Sequence, residues 1–544
     1  MKNPLLISIL LLSSITINAQ WIDDTSINNP ICVANNYQVD LRMMEDGFGG
    51  FFLVWKDYRN GTPDIFAQRV NALGEKLWAT DGVPVCSNSS DQSTPGLISD
   101  GADGIIVSWS DWRSGIERDI YAQRLNGDGQ PLWMWDGVVV VNKTTREHNQ
   151  RMVMDGQGGA IVVFEQKNSA TYNWELWAQR IDANGNGVWN PGGIPVTTIL
   201  SEHLNERIQS DGQGGVYIAF QDFRNGIDYD VYVQHLGPNG EYLWGTGVLA
   251  CNATGTQTNP KIDPDPNGGV VVAWTDKRNM VDYDIYAQRI DFNGNLLWGA
   301  GGKPVCSVPG NQSAVDLLSN EVVNGVILTW KDERTGVDYD IYCNRLDWEG
   351  NQTWTMNGMP VCVNAGDQIN PNITGDSYGG AAIVWQDQTT GNFDIRMQRI
   401  YAEGYIQYPI SGKIISDAIS DQSSPKSCST ELGVAVFAWE DNRTGLADVY
   451  CAKVQFGGPW VNVDETALRQ SNAYPNPFLE SIRFSALGND WKEISIFNTL
   501  GQLQFHEQTT REQMEIDAGD WNPGCYWVQI KQHHGMEVFQ IMKQ

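Results

Sequence analysis

Positive charge is scarce in this sequence. Its 544 residues contain 36 Lys and Arg against 65 Asp and Glu, which gives a formal net charge of −29 at pH 7. A chain of this sign repels phosphate groups, which argues against nucleic acid as a partner and against unassisted binding to anionic membranes. Long apolar runs are missing after the N-terminus, so we expect no transmembrane segment. Serine-nucleophile and phosphate-loop patterns are absent, and the six histidines lack ligand spacing, so we predict no metal centre.

What the sequence does contain is an internal repeat. Each copy has an apolar run that ends in an aromatic residue, and successive aromatics are 54 to 56 residues apart. These aromatics are Trp55, Trp109, Phe164, Phe220, Trp274, Trp330, Trp385 and Trp439. In the copy 259–306, the pattern predicts a short strand at 260–262 and longer ones at 270–274, 284–290 and 297–306. Four short strands per unit at a regular period are typical of β-propeller blades.

Eight repeats predict an all-β, eight-bladed β-propeller, with a linear β-solenoid as the alternative. The eighth repeat ends after its third strand at Val454, and a lone fourth-strand pattern, with Trp21 and Ile31, precedes the first repeat. We therefore predict that this N-terminal segment pairs antiparallel with 448–454, which closes the ring and removes an open sheet edge. In that register, we expect Cys32 and Cys451 to lie too far apart for a disulfide.

The repeats set the domain organisation. We expect a secretory signal peptide at 1–19, because Lys2 precedes an apolar core and Ala19 suits the residue before the cut. The propeller is expected over 20–460, a linker over 461–472 and a small β-sandwich over 473–544.

The C-terminal block begins with Tyr474-Pro475-Asn476-Pro477-Phe478 and continues through 494–498, Gly501, Gly524-Cys525-Tyr526 and Lys543. In this order at the C-terminus, these motifs resemble the C-terminal sorting domain of the type IX secretion system of Gram-negative bacteria. The resemblance implies that the secretion machinery is a partner, that the protein is exported across the outer membrane, and that the block is then removed. It also implies a set of sorting residues, namely Tyr474, Pro475, Asn476, Pro477, Gly501, Gly524 and Tyr526.

An Asp-x-Arg motif follows the aromatic run in six repeats. Its residues are Asp57, Arg59, Asp111, Arg113, Asp222, Arg224, Asp276, Arg278, Asp332, Arg334, Asp441 and Arg443. Arginines on one propeller face suit carboxylates, which suggests a sialidase-like site that acts on glycosides. The alternative is that each Asp caps its turn and each Arg pairs with it locally. We favour this structural interpretation, because an active site breaks symmetry.

Repeats three and seven depart from this motif. Repeat three has Gln166 and Asn168 in place of the Asp and Arg, and repeat seven has Thr389 in place of the Arg. Repeat three also contains three aromatic residues close together, Tyr172, Trp174 and Trp177. This cluster could stack on a sugar ring. Packing between blades is the alternative, which the 22 tryptophans of the chain favour.

Two further features predict structure more than chemistry. The segment 263–268 resembles the start of a calcium loop but lacks the later carboxylate, so we expect no cofactor, with calcium here as the alternative.

Five of the nine cysteines share one repeat position, and equivalent positions in different blades are too far apart to bridge. These five are Cys32, Cys86, Cys251, Cys306 and Cys362. We expect most cysteines to be buried free thiols.

Together, these features predict an exported propeller, secreted or attached to the outer cell surface, that binds a glycan or protein ligand as a monomer and catalyses nothing. A glycoside-acting enzyme on one face and a structural surface-layer component are the alternatives. Two carboxylates at catalytic separation in a cleft would favour the enzyme.

Overall fold

The structure is a computed structural model that describes residues 21–251, 253–320, 322, 324–458, 472–474, 480–485, 492–498, 503–511, 513–532 and 535–543. The chain divides into two compact units, 1–456 and 457–544. The described residues form no helix, and therefore none that is long and apolar enough to cross a membrane.

The first unit is a set of eight four-stranded antiparallel sheets, which are the predicted propeller blades. We number the strands of each blade from first to fourth in their order across the sheet. The first strands are Gln38–Glu45, Gln92–Ser99, Glu147–Met154, His203–Ser210, Gln257–Pro264, Gln312–Asn320, Gln368–Gly375 and Gln422–Glu431. The second strands are Phe51–Asp57, Ile105–Asp111, Ala160–Lys167, Val216–Asp222, Gly269–Asp276, Gly325–Asp332, Ala381–Asp387 and Val434–Asp441. The third strands are Asp64–Val70, Asp119–Leu125, Trp174–Ile181, Asp230–Leu236, Asp284–Asp291, Asp340–Asp347, Asp394–Ile400 and Asp448–Gln455. The fourth strands are Val83–Cys86, Val138–Val141, Ile194–Pro195, Val248–Cys251, Lys303–Cys306, Met359–Cys362, Lys413–Ser416 and, in blade 8, Asn29–Cys32.

Blade 8 is completed by the N-terminal strand, which confirms the predicted closure. Asn29–Cys32 pairs antiparallel with Asp448–Gln455, so that Asn29 lies opposite Cys451 and Cys32 lies opposite Val449. Both thiols are free. The segment before this strand contacts blade 1 as well, because the Trp21 indole nitrogen donates to the carbonyl oxygen of Ala72 at 3.0 Å. The N-terminal segment therefore joins the last blade to the first.

The first and fourth strands of blade 5 differ most from the sequence prediction. In blade 5 the first strand is Gln257–Pro264, longer than the predicted 260–262, and the fourth strand begins at Lys303 rather than at residue 297. Trp298 lies in the connection before that fourth strand and is only 4% exposed. Its indole nitrogen donates to the carbonyl oxygen of Trp348 in blade 6 at 3.0 Å. The apolar pattern at 297–298 therefore reflects packing between blades, next to an isolated backbone bridge between Leu296 and Ile290 of the third strand.

A bulge interrupts every first strand. It breaks the alternation of side chains along the strand, which is why the sequence predicted only a short first strand in the copy 259–306. The pairing of the first and second strands shifts register two to three residues after the first strand begins. One residue at each bulge has a left-handed φ between 51° and 58°. These residues are Asp40, Thr94, Asn149, Asn205, Asn259, Ala314, Asn370 and Ser424. Four of the eight are asparagine, which tolerates this conformation better than most residues.

The core lies between neighbouring blades. Trp274 is fully buried, and it shares one apolar cluster with Val231, Val233 and Trp244 of blade 4. The tryptophan therefore lies between blades, as predicted. Each second strand is apolar on both faces because neighbouring blades cover both.

The second unit is a β-sandwich of two sheets. Its strands are Asn472–Tyr474, Ser481–Ser485, Lys492–Asn498, Leu503–Thr509, Met514–Asp517, Gly524–Gln532 and Gly535–Lys543. The first, second and fifth form a three-stranded sheet, and the other four form the second sheet. A shared core joins them, with Phe484 and Ile516 from one sheet and Ile494 and Val528 from the other. The predicted small β-sandwich is confirmed.

Candidate functional site

The Asp-x-Arg motif forms a buried cluster within each blade, and blade 5 shows its geometry. The Asp276 carboxylate is fully buried. It accepts hydrogen bonds from the indole nitrogen of Trp274 at 2.7 Å and from the backbone N–H of Arg278 at 2.8 Å. The Arg278 guanidinium pairs with it at 2.7 Å and lies 3.5 Å from the centroid of the Tyr286 ring on the third strand. Both charges are therefore occupied by partners within the blade.

All six predicted pairs have this arrangement. The Asp and Arg of each pair are 2.5 to 2.7 Å apart, and each guanidinium carbon lies 3.5 to 4.0 Å from the centroid of a third-strand aromatic ring. Blade 4 has Phe220 in place of the tryptophan, and there the His203 ring nitrogen lies 3.3 Å from Asp222. The structure places one pair in each of six blades and does not assemble the arginines into a single cluster.

The shared cysteine position belongs to the same cluster. The Arg278 guanidinium donates to the sulfur of Cys251, on the fourth strand of the preceding blade, at 3.1 Å. Arg59, Arg113 and Arg334 make the equivalent contact at 3.1 to 3.3 Å. Burial raises the pKa of the Cys251 thiol to about 11, so the group is uncharged at neutral pH. The cysteines are buried free thiols, as predicted, and their contact with the arginine of the neighbouring blade is a feature that the sequence did not predict.

Blades 3 and 7 replace the cluster with different residues. In blade 7, Arg396 on the third strand pairs with Asp387 at 3.3 Å, so a guanidinium is present although Thr389 has replaced the usual arginine. In blade 3, Lys143 from the preceding blade connection donates to Gln166 at 2.7 Å and lies 3.5 Å from the centroid of the Trp177 ring. Trp177 therefore packs between blades. The other two aromatic residues of repeat three, Tyr172 and Trp174, line a cleft instead.

An open cleft of about 430 Å³ lies beside blade 3. Tyr172 and Trp174 line it, together with Arg146, Lys167 and Glu117. Glu117 comes from the loop between the second and third strands of blade 2, and Arg146 from the connection between blades 2 and 3. The cleft therefore opens on the propeller face that carries the loops between second and third strands.

The loop 168–173 forms one side of this cleft. The Asn168 side chain accepts from the backbone N–H groups of Ala170 and Thr171 and donates to Glu175 at 2.6 Å. It thus organises the turn where other blades have an arginine. Tyr172 adopts a left-handed φ of 60° and is 73% exposed. A flat aromatic side chain is therefore presented to solvent at a turn held by hydrogen bonds.

The charges around Trp174 are mainly positive. Lys167 lies 4.7 Å and Arg146 5.9 Å from the centroid of its ring, and His148 packs edge-on at 4.2 Å. Burial, followed by the nearby charge of Arg146, lowers the pKa of His148 to about 4, so this ring is neutral at pH 7. Tyr172 and Trp174 were predicted from the sequence, whereas Arg146, Lys167 and Glu117 were not. The loss of the repeat motif at 166–168 was the available signal for their position.

The other predicted sites can be placed only in part. In segment 263–268, Asp263 accepts from Gln209 and from the backbone N–H of Ser319, whereas Asp265 pairs with Arg289 at 2.6 Å. The part of the chain that the structure describes contains no group of three or more His, Cys, Asp or Glu arranged to hold a metal ion.

Of the predicted sorting residues, Tyr474, Gly524 and Tyr526 lie in strands, and the Tyr526 hydroxyl donates to the carbonyl oxygen of Asn522 at 2.6 Å. Four others, Pro475, Asn476, Pro477 and Gly501, lie outside the described residues.

Fold and sequence together define the class: an eight-bladed β-propeller followed by a sorting domain. Residues 472–544 match the family model described as the secretion system C-terminal sorting domain. The C-terminal unit is thus a type IX sorting domain, and it indicates export by that machinery to the outer surface or the medium. No curated protein matches the chain.

Several solved structures are distantly similar. A protein of unknown function from Dyadobacter fermentans is 11% identical, with a TM-score of 0.34, over 59% of this chain and 97% of its own. An endo-arabinase from Bacteroides thetaiotaomicron is 12% identical, with a TM-score of 0.28, over 50% of this chain and 98% of its own. The GH93 α-L-arabinofuranosidase of Fusarium graminearum, in complex with arabinobiose, is 11% identical, with a TM-score of 0.34, over 80% and 98%. Similarities this distant carry no argument about activity.

Proposed function

We propose that the protein is an exported carbohydrate-binding propeller whose ligand stacks on Tyr172 and Trp174 in the blade 3 cleft. One observation carries the proposal: the cleft lies at blade 3, which lacks both the Asp and the Arg of the repeated cluster. Blade 3 thus departs from the symmetry of the repeat, and Tyr172 and Trp174 line the cleft at that position. Flat aromatic rings present an apolar face on which a sugar can stack.

The charges of the cleft favour an acidic sugar. Arg146 and Lys167 provide two cations, and Arg can bind a carboxylate or sulfate through two parallel hydrogen bonds. Glu117 is the one carboxylate among the described residues that line the cleft. Glycoside hydrolysis ordinarily takes a pair of carboxylates, so the lining supports binding over catalysis.

A glycan array of neutral, uronate-containing and sulfated oligosaccharides, probed with the purified protein, tests this proposal. We expect acidic glycans to bind, and Tyr172→Ala and Trp174→Ala each to weaken binding about ten-fold, which corresponds to about 1.4 kcal/mol for the lost apolar contact with the sugar ring. Trp135→Ala is the matched control, because Trp135 is 58% exposed and does not line the cleft. Binding that survives both cleft substitutions, or that Trp135→Ala reduces equally, would show that the site is elsewhere.

A further inference from the structure

A ring of basic residues occurs at one position of the first strands, directly after the bulge. Five of the eight blades have a cation there: Arg42, Arg151, Arg207, Lys261 and Lys426. The other three blades have Gly96, Asp316 and Asn372. The position is equivalent in every blade, because each residue is the first to pair with the second strand after the register shift. Five cations at eight equivalent positions are unexpected in a chain with 36 basic and 65 acidic residues.

The first strands surround the propeller axis, so these side chains lie around the central channel. Each first strand packs against the first strands of both flanking blades, and blade 8 packs against blade 1 in the same way. Contacts between neighbouring positions follow the ring. Lys261 pairs with Asp316 of the next blade at 3.2 Å, and Asn372 donates to the same carboxylate from the other side at 2.9 Å.

The cations also influence one another across the channel. Burial and then the positive charge of Arg42 lower the pKa of Lys426 to about 8, and Lys261, three blades away, adds to this effect. Burial and then Arg151 lower the pKa of Arg207 to about 10, with a further contribution from Arg42, also three blades away. The first strands pack side by side around the axis, so these charges act on one another over the width of the channel.

Three of the five cations have no acidic partner. Within the described part of the chain, no carboxylate lies within 4.0 Å of Arg42, Arg207 or Lys426. Their hydrogen bonds go to backbone carbonyls: Arg42 to Leu41 at 2.9 Å, Arg207 to Glu206 at 2.7 Å, and Lys426 to Ser424 at 3.3 Å.

The acidic groups around them offset part of this positive charge without pairing with these three cations. Glu440 favours the charged forms of Arg42 and Lys426, and Asp316 favours those of Arg207 and Lys426. Asp40 pairs with Lys56, and Glu440 accepts from the backbone N–H of Asp40. Glu206 lies 3.4 Å from Arg151, and burial raises its pKa to about 8.

Several arginines on the third strands, by contrast, have acidic partners. Third-strand arginines such as Arg69, Arg180 and Arg399 each pair with a carboxylate of their own blade at 2.8 to 3.0 Å. The alternative to a bound anion is that water alone solvates the unpaired cations in the channel. Like charges held close together are destabilising, however, and an anion placed between them would remove that repulsion.

We infer that the central channel binds a doubly charged oxyanion, phosphate or sulfate, between Arg42, Arg207 and Lys426. Guanidinium groups match such oxyanions through paired hydrogen bonds, and lysine supplies a point charge. The site lies on the axis and does not rest on the proposed glycan site.

Calorimetric titration of the purified, phosphate-free protein with sodium phosphate, sodium sulfate and sodium acetate at constant ionic strength tests the inference. We expect saturable binding of one phosphate or sulfate per chain, at least ten-fold tighter than acetate, and an anion-dependent rise in melting temperature. Arg207→Met and Lys426→Met should each weaken phosphate binding at least ten-fold. Neither variant should melt below the wild type in chloride alone, because each relieves repulsion.

Lys277→Met is the matched control. It also removes one positive charge, but Lys277 lies over the aromatic ring of Tyr283 and is not one of the five channel cations. We expect it to bind phosphate as the wild type does. The inference is overturned if the wild-type protein shows no saturable binding of either oxyanion, if acetate binds as tightly, or if Lys277→Met weakens binding as much as the channel substitutions do. The wild-type titration decides the matter by itself should a channel variant fail to fold.

Discussion

At the scale of single residues, the repeated aspartates are partners in buried ion pairs as well as turn caps. Asp276 accepts four hydrogen bonds, one from Trp274 and three from Arg278, and is fully buried. Removing one partner of a buried pair leaves an uncompensated charge, which costs far more than one hydrogen bond. Because Arg278 also donates to Cys251 of the preceding blade, the pair helps to hold the two blades together.

Asp276→Ala should lower the free energy of unfolding by about 3 kcal/mol, because the half-buried Arg278 guanidinium would lose its carboxylate partner. The double substitution Asp276→Ala with Arg278→Leu should cost less than the single one, since it removes the orphaned charge. Denaturant unfolding of both variants measures the difference. Equal losses in the single and double variants would contradict the ion-pair account.

A second residue-scale prediction concerns Asp340 at the start of the third strand of blade 6. The carboxylate is 2% exposed, and burial followed by the neighbouring Asp338 raises its pKa to about 6. Between the usual value of 3.8 and about 6, the folded state keeps a proton that the unfolded state loses. Stability therefore falls as pH rises through this window.

Asp340→Asn removes this titration. We expect little change at pH 4 and a gain of about 3 kcal/mol at pH 7 and above, because the folded pKa lies about 2 above the usual value and each pKa unit corresponds to about 1.4 kcal/mol. Thermal unfolding of wild type and variant from pH 4 to 8 measures the gain. A difference that stays constant over this range would show that Asp340 does not titrate as described.

At the scale of elements, the N-terminal strand is the element on which closure depends. It supplies the outer strand of blade 8, and Arg443 of that blade donates to the carbonyl oxygens of Ser26 and Ile27 just before the strand. Bringing together ends separated by more than four hundred residues costs loop entropy that grows only logarithmically with length. Local contacts can therefore offset it.

Deleting residues 21–34 should lower the melting temperature and promote aggregation, because the third strand of blade 8 becomes an open edge. Differential scanning calorimetry and light scattering measure the two effects. Ile31→Ser should act in the same direction, since Ile31 is 2% exposed, whereas Ile22→Ser at a 38% exposed position is the control. A truncated protein that melts like the complete one would rule out this role.

At the scale of the whole molecule, the two units have separate tasks. Residues 472–544 match a sorting domain, and the propeller carries the candidate sites. The sorting domain has its own core, with Ile482 and Ile494 both fully buried.

Removing residues 472–544 should leave the protein in the periplasm of a host that has the type IX system. Fractionation and surface labelling of the truncated and complete proteins measure this. Fusing 472–544 to an unrelated periplasmic protein is the reciprocal control, which should reach the surface or the medium. Surface display of the truncated protein at the normal level would contradict a sorting role for this block.

The repeat made much of this protein predictable. Aromatics spaced 54 to 56 residues apart set the number of blades, and the missing fourth strand of repeat eight identified the closing segment. Such features are readable because each blade is one continuous stretch of chain. Tyr172 and Trp174 were also found in this way, since they occur where the repeat breaks down.

Contacts between blades were decided only by the tertiary structure. The bond from Arg278 to Cys251, the position of Arg146 beside Trp174, and the placement of Arg42 and Arg207 around one channel bring together residues 27 to 165 positions apart. No local pattern encodes such a pairing, because it exists only once the blades are stacked and the ring is closed. The sequence alone therefore determined the blades and their order, whereas ring closure decided which charges face each other across the channel.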